Sequence, residues 1–316
     1  VTRESLFTVP ENFPEPVYDF SRNPLTESKI LLGRTLFYDP ILSRNNTISC
    51  ENCHSPFSAF THIDHALSHG IYDSVGTRNS PALMNLAWQK TFMWDGAVNN
   101  LDMQALVPIA HPAEMRSSIN EVVHKLNASG KYHQLFFKAF GDSMATGERT
   151  LKALSQFMLT LVSANSRYDQ VMRREATFTD QEANGYRLFK THCASCHTEP
   201  LFTNGSFENN GLPMDSVLND VGRMEVTSDR NDSLKFKVPT LRNIEYTYPY
   251  MHDGRFKKLS EVLNHYTGGI HHSRTLALQL QNGIVLTSNE KVDLITFLLT
   301  LSDKTFVFNP NFRYPR

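Results

Sequence analysis

All four cysteines of this 316-residue chain lie in two copies of one motif, CENCH at 50–54 and CASCH at 193–197. A disulfide inside either motif would close a very short, strained loop, and a chain of this length can build a core without such bridges. A zinc ribbon separates its two Cys-x-x-Cys pairs by roughly 15–20 residues, whereas about 140 residues separate these two. A redox dithiol of the thioredoxin type needs no histidine directly after the second cysteine.

The histidine after each second cysteine indicates haem. In Cys-x-x-Cys-His the two thiols form thioethers to the haem vinyl groups, and the adjacent histidine becomes an axial ligand of the iron. We therefore predict two covalently bound c-type haems. The residues that hold them are Cys50, Cys53 and His54 for the first haem, and Cys193, Cys196 and His197 for the second.

Composition limits the partners and the location. The formal net charge is −1, so there is no basic excess and we do not expect nucleic-acid binding. No apolar run is long enough to span a membrane, which predicts a soluble protein. Covalent haem attachment predicts an exported, periplasmic protein. A start at Val1 without a signal peptide fits a processed exported protein, and it fits a trimmed chain equally well.

Each motif follows an amphipathic helical stretch of similar sequence, GRTLF at 33–37 before the first and GYRLF at 185–189 before the second. Strand-like alternation is scarce, and long loops follow both motifs. One cytochrome-c unit used twice explains this arrangement. We predict a mostly α fold of two cytochrome-c-like domains joined by long loops, each with one haem, at residues 1–165 and 166–316.

Further helices are indicated by capping residues and by apolar residues at helical spacing. Ser118 and Glu121 start one helix, and Thr179 and Glu182 start the helix before the second motif. The domain boundary is expected in 165–178. The other helical patterns run from Leu151 to Leu161, from Leu259 to Tyr266 and from Glu290 to Leu301.

Five further segments carry a family resemblance. They are LGRTLFYDPILS at 32–43, GTRNSPAL at 76–83, FMWDG at 92–96, VPTLRNI at 238–244 and YPYMHDG at 248–254. Together with the two motifs they resemble the bacterial dihaem cytochrome c peroxidases, and within them the MauG-like branch, over nearly the whole chain. The resemblance implies a peroxide-binding haem in the N-terminal half and an electron-transfer haem in the C-terminal half.

The resemblance makes the first haem the peroxide site, with His54 as its proximal ligand. The family's distal residues match Gln104, Pro108 and Glu114 here. Cleavage of an O–O bond needs a group that moves a proton between the peroxide oxygens, which a carboxylate can do, while an amide can hold the leaving water. On the residues alone, Glu114 is equally well a solvated loop acid.

Trp94, in FMWDG, matches the family tryptophan that lies between the two haems and conducts electrons or holes. The alternative is an ordinary core tryptophan, and the two roles are compatible. Trp88 is the only other tryptophan of the chain, and we expect it in the core.

The family's distal ligand of the second haem lies fourteen residues after the histidine of the YPYMHDG-type segment, which gives Tyr266 counted from His252. Ordinary family peroxidases have Met at this place, whereas MauG-like enzymes have Tyr. Helical spacing puts Tyr266 on an inward face, and Met251 or His265 are the alternative ligands. A Met ligand raises a haem's potential and suits electron entry, whereas an anionic tyrosinate favours storage of oxidising equivalents.

The loop after the first motif contains three histidines, His62, His65 and His69. In ordinary family peroxidases a histidine on this loop closes the peroxide site until the second haem is reduced. His69 lies within one position of the expected place, so it is either such an iron ligand or a solvated loop residue.

The family also binds calcium between the haems, through one Asn side chain and two backbone carbonyls. The matching positions are Asn79, Thr247 and Pro249. Three protein oxygens completed by waters suit calcium. Backbone ligands leave no residue signature, so this expectation rests on the position alone.

Three functions are compatible with the sequence. The first is a MauG-like peroxidase that uses hydrogen peroxide, stores two oxidising equivalents across both haems and oxidises a partner protein. The second is an ordinary cytochrome c peroxidase that reduces hydrogen peroxide to water with electrons from a cytochrome c or a cupredoxin. The third is a non-enzymatic dihaem electron carrier, in which Gln104, Pro108 and Glu114 would have no purpose. Tyr266 favours the first.

Overall fold

The computed structural model describes residues 6–315, and the regular secondary structure of these residues is almost entirely helical. The α-helices are α1 Glu27–Tyr38, α2 Leu101–Gln104, α3 Leu106–Ala110, α4 Ile119–Asn127, α5 Gly130–Phe140, α6 Gly147–Leu159, α7 Arg167–Met172, α8 Asp180–His192, α9 Met224–Thr227, α10 Leu259–Asn264, α11 Ser288–Leu299 and α12 Lys304–Val307. Two short strands, β1 Phe207–Glu208 and β2 Phe236–Lys237, pair antiparallel. The described part of the chain contains no helix long and apolar enough to cross a membrane.

Two helix pairs of the same design form the frame of the two halves, α1 with α6 and α8 with α11. A Cβ atom on Gly33 of α1 would lie 1.8 Å from the carbonyl oxygen of Ala153 in α6. A Cβ atom on Gly185 of α8 would lie 2.0 Å from the carbonyl oxygen of Asp293 in α11. Only glycine allows such a close backbone approach. The repeated unit predicted from the two similar stretches is therefore confirmed.

Two of the predicted helix starts are confirmed. The side chains of Ser118 and Thr179 each accept a hydrogen bond from the backbone N–H three residues later, and they begin α4 and α8. A capping box of Thr287 and Glu290 begins α11, so this helix starts at Ser288. The predicted last helix was therefore placed two residues too late.

Two hydrophobic cores correspond to the two halves of the chain. The first lies around α1 and α6 and includes Phe157, and the second lies between α8, α10 and α11 and includes Phe297. Phe306 and Phe312, near the C-terminus, pack into the first core. The exact domain division stays a prediction, and the end of the chain returns to the N-terminal half.

Polar contacts across the two halves converge on the segment that contains Trp94. The guanidinium of Arg78 donates to Asp220 at 2.6 and 2.8 Å and to Asp95 at 2.5 Å. The backbone N–H of Lys237 donates to the carbonyl oxygen of Trp94 at 2.7 Å. Charge-assisted bonds of this kind hold geometry firmly, so Trp94 is fixed at the boundary between the halves.

Candidate functional site

The first motif forms a tight turn that presents its histidine. Cys50–Asn52 is a 3₁₀ helix, and the backbone N–H of His54 donates to the carbonyl of Cys50 at 2.9 Å. The His54 Nδ1 atom lies 2.8 Å from the carbonyl oxygen of Phe60. Because Nδ1–H donates to this carbonyl, the lone pair is on Nε2. Burial lowers the pKa of His54 to about 4, so the ring is neutral, as an iron ligand must be.

The second motif repeats this arrangement with different partners. The His197 Nδ1 atom lies 3.1 Å from the carbonyl oxygens of both Phe202 and Pro239. Burial lowers the pKa of His197, so this ring is also kept neutral. Phe60 and Phe202 both have positive φ, 63° and 54°. The sequence analysis missed these orienting carbonyls, although a phenylalanine five or six residues after each motif histidine is a weak signal for them.

The four thiols are buried in a way that suits thioethers better than thiolates. Burial raises the pKa of Cys50 and Cys193 to about 12 and that of Cys53 to about 11. Reactive redox cysteines and metal-binding thiolates have lowered pKa values instead. The four cysteines form no disulfide within the described residues. A neutral sulfur, as in a haem thioether, matches these surroundings.

A mostly apolar cavity of about 450 Å³ lies beside the second motif, a size usual for a cofactor site. Its wall gathers most of the predicted second-haem residues with Trp94 and the predicted calcium residues. The lining includes Cys193, Cys196, His197, Tyr266, Trp94, Asn79, Thr247 and Pro249. Cys50, Cys53, His54 and Glu114 lie outside this wall, and Cys50 packs against the first core.

Tyr266 lines this cavity together with Leu259, Val262 and Leu263, so the predicted inward face is confirmed. The helix changes type here, because a π-helical turn, His265–Gly269, follows α10 directly. Single π-turns of this kind occur frequently at functional sites. Burial raises the pKa of Tyr266 to about 12.

The two alternative ligands, His265 and Met251, have different surroundings. The His265 side chain is buried, and its Nε2 atom lies 2.9 Å from the carbonyl oxygen of Asn210. This ring is therefore committed to a backbone partner and is not part of the cavity lining. Met251 does line the cavity, and its sulfur lies 3.5 Å from the Asn210 Nδ2 atom. Tyr266 and Met251 are thus the two ligand candidates that share the cavity.

Of the predicted distal residues, Glu114 lies near the first motif. Glu114 is close enough to Cys50 and Cys53 to influence both thiols, and its own pKa is raised because the carboxyl group is buried. The Gln104 Nε2 atom donates to the Met93 sulfur at 3.6 Å. Pro108 is in α3, four residues along from Gln104 and six before Glu114. A carboxyl group that protonates above its usual pH range suits proton transfer near neutrality.

Trp94 is held by hydrogen bonds at its side chain and at its backbone. Its indole Nε1–H donates to the carbonyl of Asn79 at 2.8 Å, and its own carbonyl accepts from Lys237. The ring forms part of the cavity wall beside the second motif. Trp88 is buried and donates from its indole to the carbonyl of Pro14 at 2.6 Å, which confirms its predicted core role.

The loop histidines cluster beside the first motif. The Cys53 sulfur lies 3.5 Å from the carbonyl oxygen of His69. The His69 ring lies 4.9 Å from the His65 ring, and the His65 ring stacks on that of His62 at 4.6 Å, between centroids. Within residues 6–315 no group of three or more His, Cys, Asp or Glu side chains is arranged to hold a metal ion. His69 thus lies near the first motif through its backbone, with its ring against the other loop histidines.

The predicted calcium residues share one region of the cavity wall. The Asn79 side chain donates from Nδ2 to the carbonyls of His65 and Ala66 at 3.2 and 3.0 Å. This orients the amide oxygen away from that loop. Thr247 and Pro249 line the same cavity. Oxygen donors of this type suit calcium.

A buried ion pair supports the second site, and the sequence analysis missed it. The Arg242 side chain is fully buried and donates to Asp169 at 2.8 and 2.9 Å and to the carbonyl of Pro200 at 2.8 Å. The Thr240 hydroxyl donates to the carbonyl of Leu201 at 2.6 Å. These bonds hold the loop that orients His197. The only signal in the sequence was the VPTLRNI segment at 238–244, which contains Thr240 and Arg242.

Two family models match the chain, the di-haem cytochrome c peroxidase model over residues 27–177 and the cytochrome c model over residues 182–302. The methylamine utilization protein MauG of Methylorubrum extorquens is 36% identical over 307 residues, covering 93% of this chain and 83% of that protein. The chain belongs to the di-haem cytochrome c peroxidase family. The cytochrome c551 peroxidase of Nitrosomonas europaea is 35% identical over 290 residues, covering 90% of this peroxidase and 81% of that protein.

Solved structures agree with this membership. A MauG-like protein associated with microbial copper homeostasis matches this peroxidase with a TM-score of 0.87 and 32% identity, covering 97% of this chain and 98% of that one. The diheme peroxidase BthA from Burkholderia thailandensis matches with a TM-score of 0.77 at 21% identity, which concerns the fold alone. The predicted fold, the two c-type haems and the class of enzyme, a peroxidase-type oxidoreductase, are confirmed.

Proposed function

We propose that this di-haem peroxidase is MauG-like: it stores two oxidising equivalents from hydrogen peroxide across both haem sites and uses them to oxidise a partner protein. The observation that supports this most strongly is the position of Tyr266 in the wall of the cavity beside the second motif, close to Cys193 and Cys196. A phenolate ligand there would favour oxidised states over electron entry. His265, the neighbouring candidate, is turned to the carbonyl of Asn210.

The residues present fit the two haems. Cys50 and Cys53 would form the thioethers of the first haem and His54 would bind its iron through Nε2. When bound, the two haems would supply the iron that takes up peroxide and a second redox centre. The matching residues of the second site are Cys193, Cys196 and His197, with Tyr266 as the distal ligand.

Glu114 and Gln104 would handle the peroxide. The Glu114 carboxylate takes the proton from the inner peroxide oxygen and delivers it to the outer oxygen, which leaves as water. The Gln104 amide holds that leaving group, and Pro108 keeps the distal wall apolar and closed. In the complete reaction hydrogen peroxide accepts two electrons and two protons and gives two water molecules. The partner protein supplies the two electrons, for example from Trp or Tyr side chains.

Trp94 would connect the two sites. Trp94 lies in the wall of the cavity beside the second motif, and its backbone is fixed at the boundary between the two halves. The hydrogen bond from its indole to Asn79 would link its position to a calcium ion held by Asn79, Thr247 and Pro249. Covalent haem attachment supports an exported, periplasmic location for the enzyme.

A second candidate is the ordinary cytochrome c peroxidase, in which a cytochrome c or a cupredoxin donates both electrons. The position of His69 beside Cys53 favours this candidate, because a histidine at the first site could close it until the second haem is reduced. A relative named cytochrome c551 peroxidase is nearly as similar as MauG, which is compatible with either function.

Tyr266→Met distinguishes the two candidates, because Met is the ligand of ordinary family peroxidases. We expect the fully oxidised wild-type holoprotein to consume one equivalent of hydrogen peroxide, and the variant to do so only after one-electron reduction. Tyr250→Phe is the matched control, because Tyr250 lines the same cavity but donates to the carbonyl of Ile244. A wild-type protein that needs prior reduction would support the second candidate.

A further inference from the structure

Asn210 lies in a turn that is held in place by hydrogen bonds and close packing. Its carbonyl oxygen accepts from the buried His265 ring at 2.9 Å. The side chain of the preceding Asn209 donates to the hydroxyls of Ser273 and Thr275, both at 2.9 Å. The following Gly211 has a φ of +77° and a Cβ there would lie 2.6 Å from the Ile270 side chain. The position of the Asn210 side chain is therefore fixed by its surroundings.

The oxygen and the nitrogen of the Asn210 side-chain amide have different hydrogen-bond partners. Its oxygen accepts from the backbone N–H of Leu212 at 3.3 Å, which turns the NH₂ group towards the cavity. There Nδ2 donates to the Met251 sulfur at 3.5 Å, and Asn210 lines the same cavity as Tyr266. An amide NH₂ has two hydrogens to give. The amide thus contacts Met251, and its second N–H lies at the cavity that Tyr266 also lines.

We propose that Asn210 is a positioning residue that sets the ligand and the reduction potential of the second haem, by donating one N–H to the Tyr266 oxygen and the other to the Met251 sulfur. The donation to Met251 occupies the thioether and disfavours it as a ligand. The donation to Tyr266 stabilises negative charge on the phenolate oxygen. This inference rests on the proposed function, because it takes Tyr266 as the distal ligand.

The hydrogen bond to the phenolate should change the reduction potential of the second haem in a definite direction. A phenolate that accepts a hydrogen bond gives less charge to the iron than one that does not, and outer hydrogen bonds of this kind tune haem potentials. Loss of the Asn210 donor should therefore lower the reduction potential of the second haem. It should also strengthen the iron–phenolate bond and raise its stretching frequency.

The test measures the potential of the second haem by spectroelectrochemistry and its phenolate vibrations by resonance Raman, on the holoprotein. Asn210→Leu, of similar volume, should lower the potential and raise the iron–phenolate frequency. Asn210→Asp, which keeps the shape, loses the donor and adds charge, should lower the potential further. Met251→Leu is the control and should leave the phenolate vibrations in place.

The outcomes separate this inference from the proposed function. Phenolate vibrations in the wild type, with potentials unchanged in either folded Asn210 variant, would overturn the role of Asn210 alone. Absence of phenolate vibrations in the wild type would overturn Tyr266 ligation and this inference with it. If neither variant folds, wild-type spectra in H₂O and D₂O decide, because a phenolate oxygen with no exchangeable donor shows no isotope shift and would refute the proposal.

Discussion

Replacement of Glu114 by Gln should slow the reaction with hydrogen peroxide and leave the fold intact. The amide has the shape of the carboxylate, and the backbone carbonyl of Glu114, which accepts from Ile71 at 2.9 Å, is unaffected. The exchange removes the ability to accept and return a proton, together with the negative charge that faces His111 at 3.7 Å. Gln104 stays in place, so any loss reports the carboxylate itself.

The size of the effect follows from the surroundings of the carboxylate. Positioned general acid–base groups contribute about 10²–10⁴-fold to a rate. The Glu114 side chain is 29% exposed, so water can replace part of its function. We therefore expect the lower half of this range, about 10²–10³-fold, which corresponds to about 3–4 kcal/mol in the activation free energy.

The pH dependence has a predicted sign. Burial raises the pKa of Glu114, and the base form needed to take a proton from peroxide exists only above that pKa. The wild-type rate constant should therefore fall as the pH is lowered through a value above the usual range for glutamate, and the Glu114→Gln rate constant should be low and flat. Stopped-flow mixing of the fully oxidised holoprotein with peroxide at a series of pH values measures this.

Glu51→Gln is the matched control for this experiment. Glu51 lies between the cysteines of the first motif, and burial raises its pKa as well. It should keep the wild-type rate and pH profile. A Glu114→Gln variant as fast as the wild type, or one that keeps the wild-type pH inflection, would refute proton transfer by Glu114.

Three further predictions concern the supports of the two sites. Arg242→Met leaves the Asp169 carboxylate buried without its arginine partner and should lower the free energy of unfolding by about 3–5 kcal/mol in urea titrations. Adding Asp169→Asn should recover part of this loss. An Arg242→Met variant as stable as the wild type would contradict the pairing. Trp94→Phe should slow the change at the second haem after peroxide addition, followed by rapid-freeze EPR, whereas Trp88→Phe, in the same cavity wall but bonded to Pro14 and not to Asn79, should not. We expect elemental analysis to find calcium in the wild-type protein and none in Asn79→Leu, and equal calcium in both would exclude this site.

The haem attachment sites could be predicted from the sequence because their chemistry depends on adjacent residues. Cys-x-x-Cys-His contains its attachment and ligand atoms within five positions, and helix caps such as Thr179 act within three. The inward face of Tyr266 also followed from local spacing. These predictions needed no knowledge of what lies across the fold.

The features that were missed depend on contacts between distant segments. The carbonyl of Pro239 reaches His197 only when two loops meet, and the backbone has no residue signature. The pairing of Arg242 with Asp169 joins residues 73 positions apart. The return of Phe312 to the first core, and the contact of Asn210 with the cavity beside Tyr266, are likewise products of tertiary packing that a linear pattern does not contain.

The most direct test of the proposed function adds one equivalent of hydrogen peroxide to the fully oxidised holoprotein and records absorption into the near-infrared, with EPR before and after. We predict one high-spin and one low-spin ferric signal at rest, the loss of both after peroxide, and a long-lived near-infrared band. A protein that does not react until one electron has been added would contradict the storage of two oxidising equivalents and would favour a cytochrome-fed peroxidase.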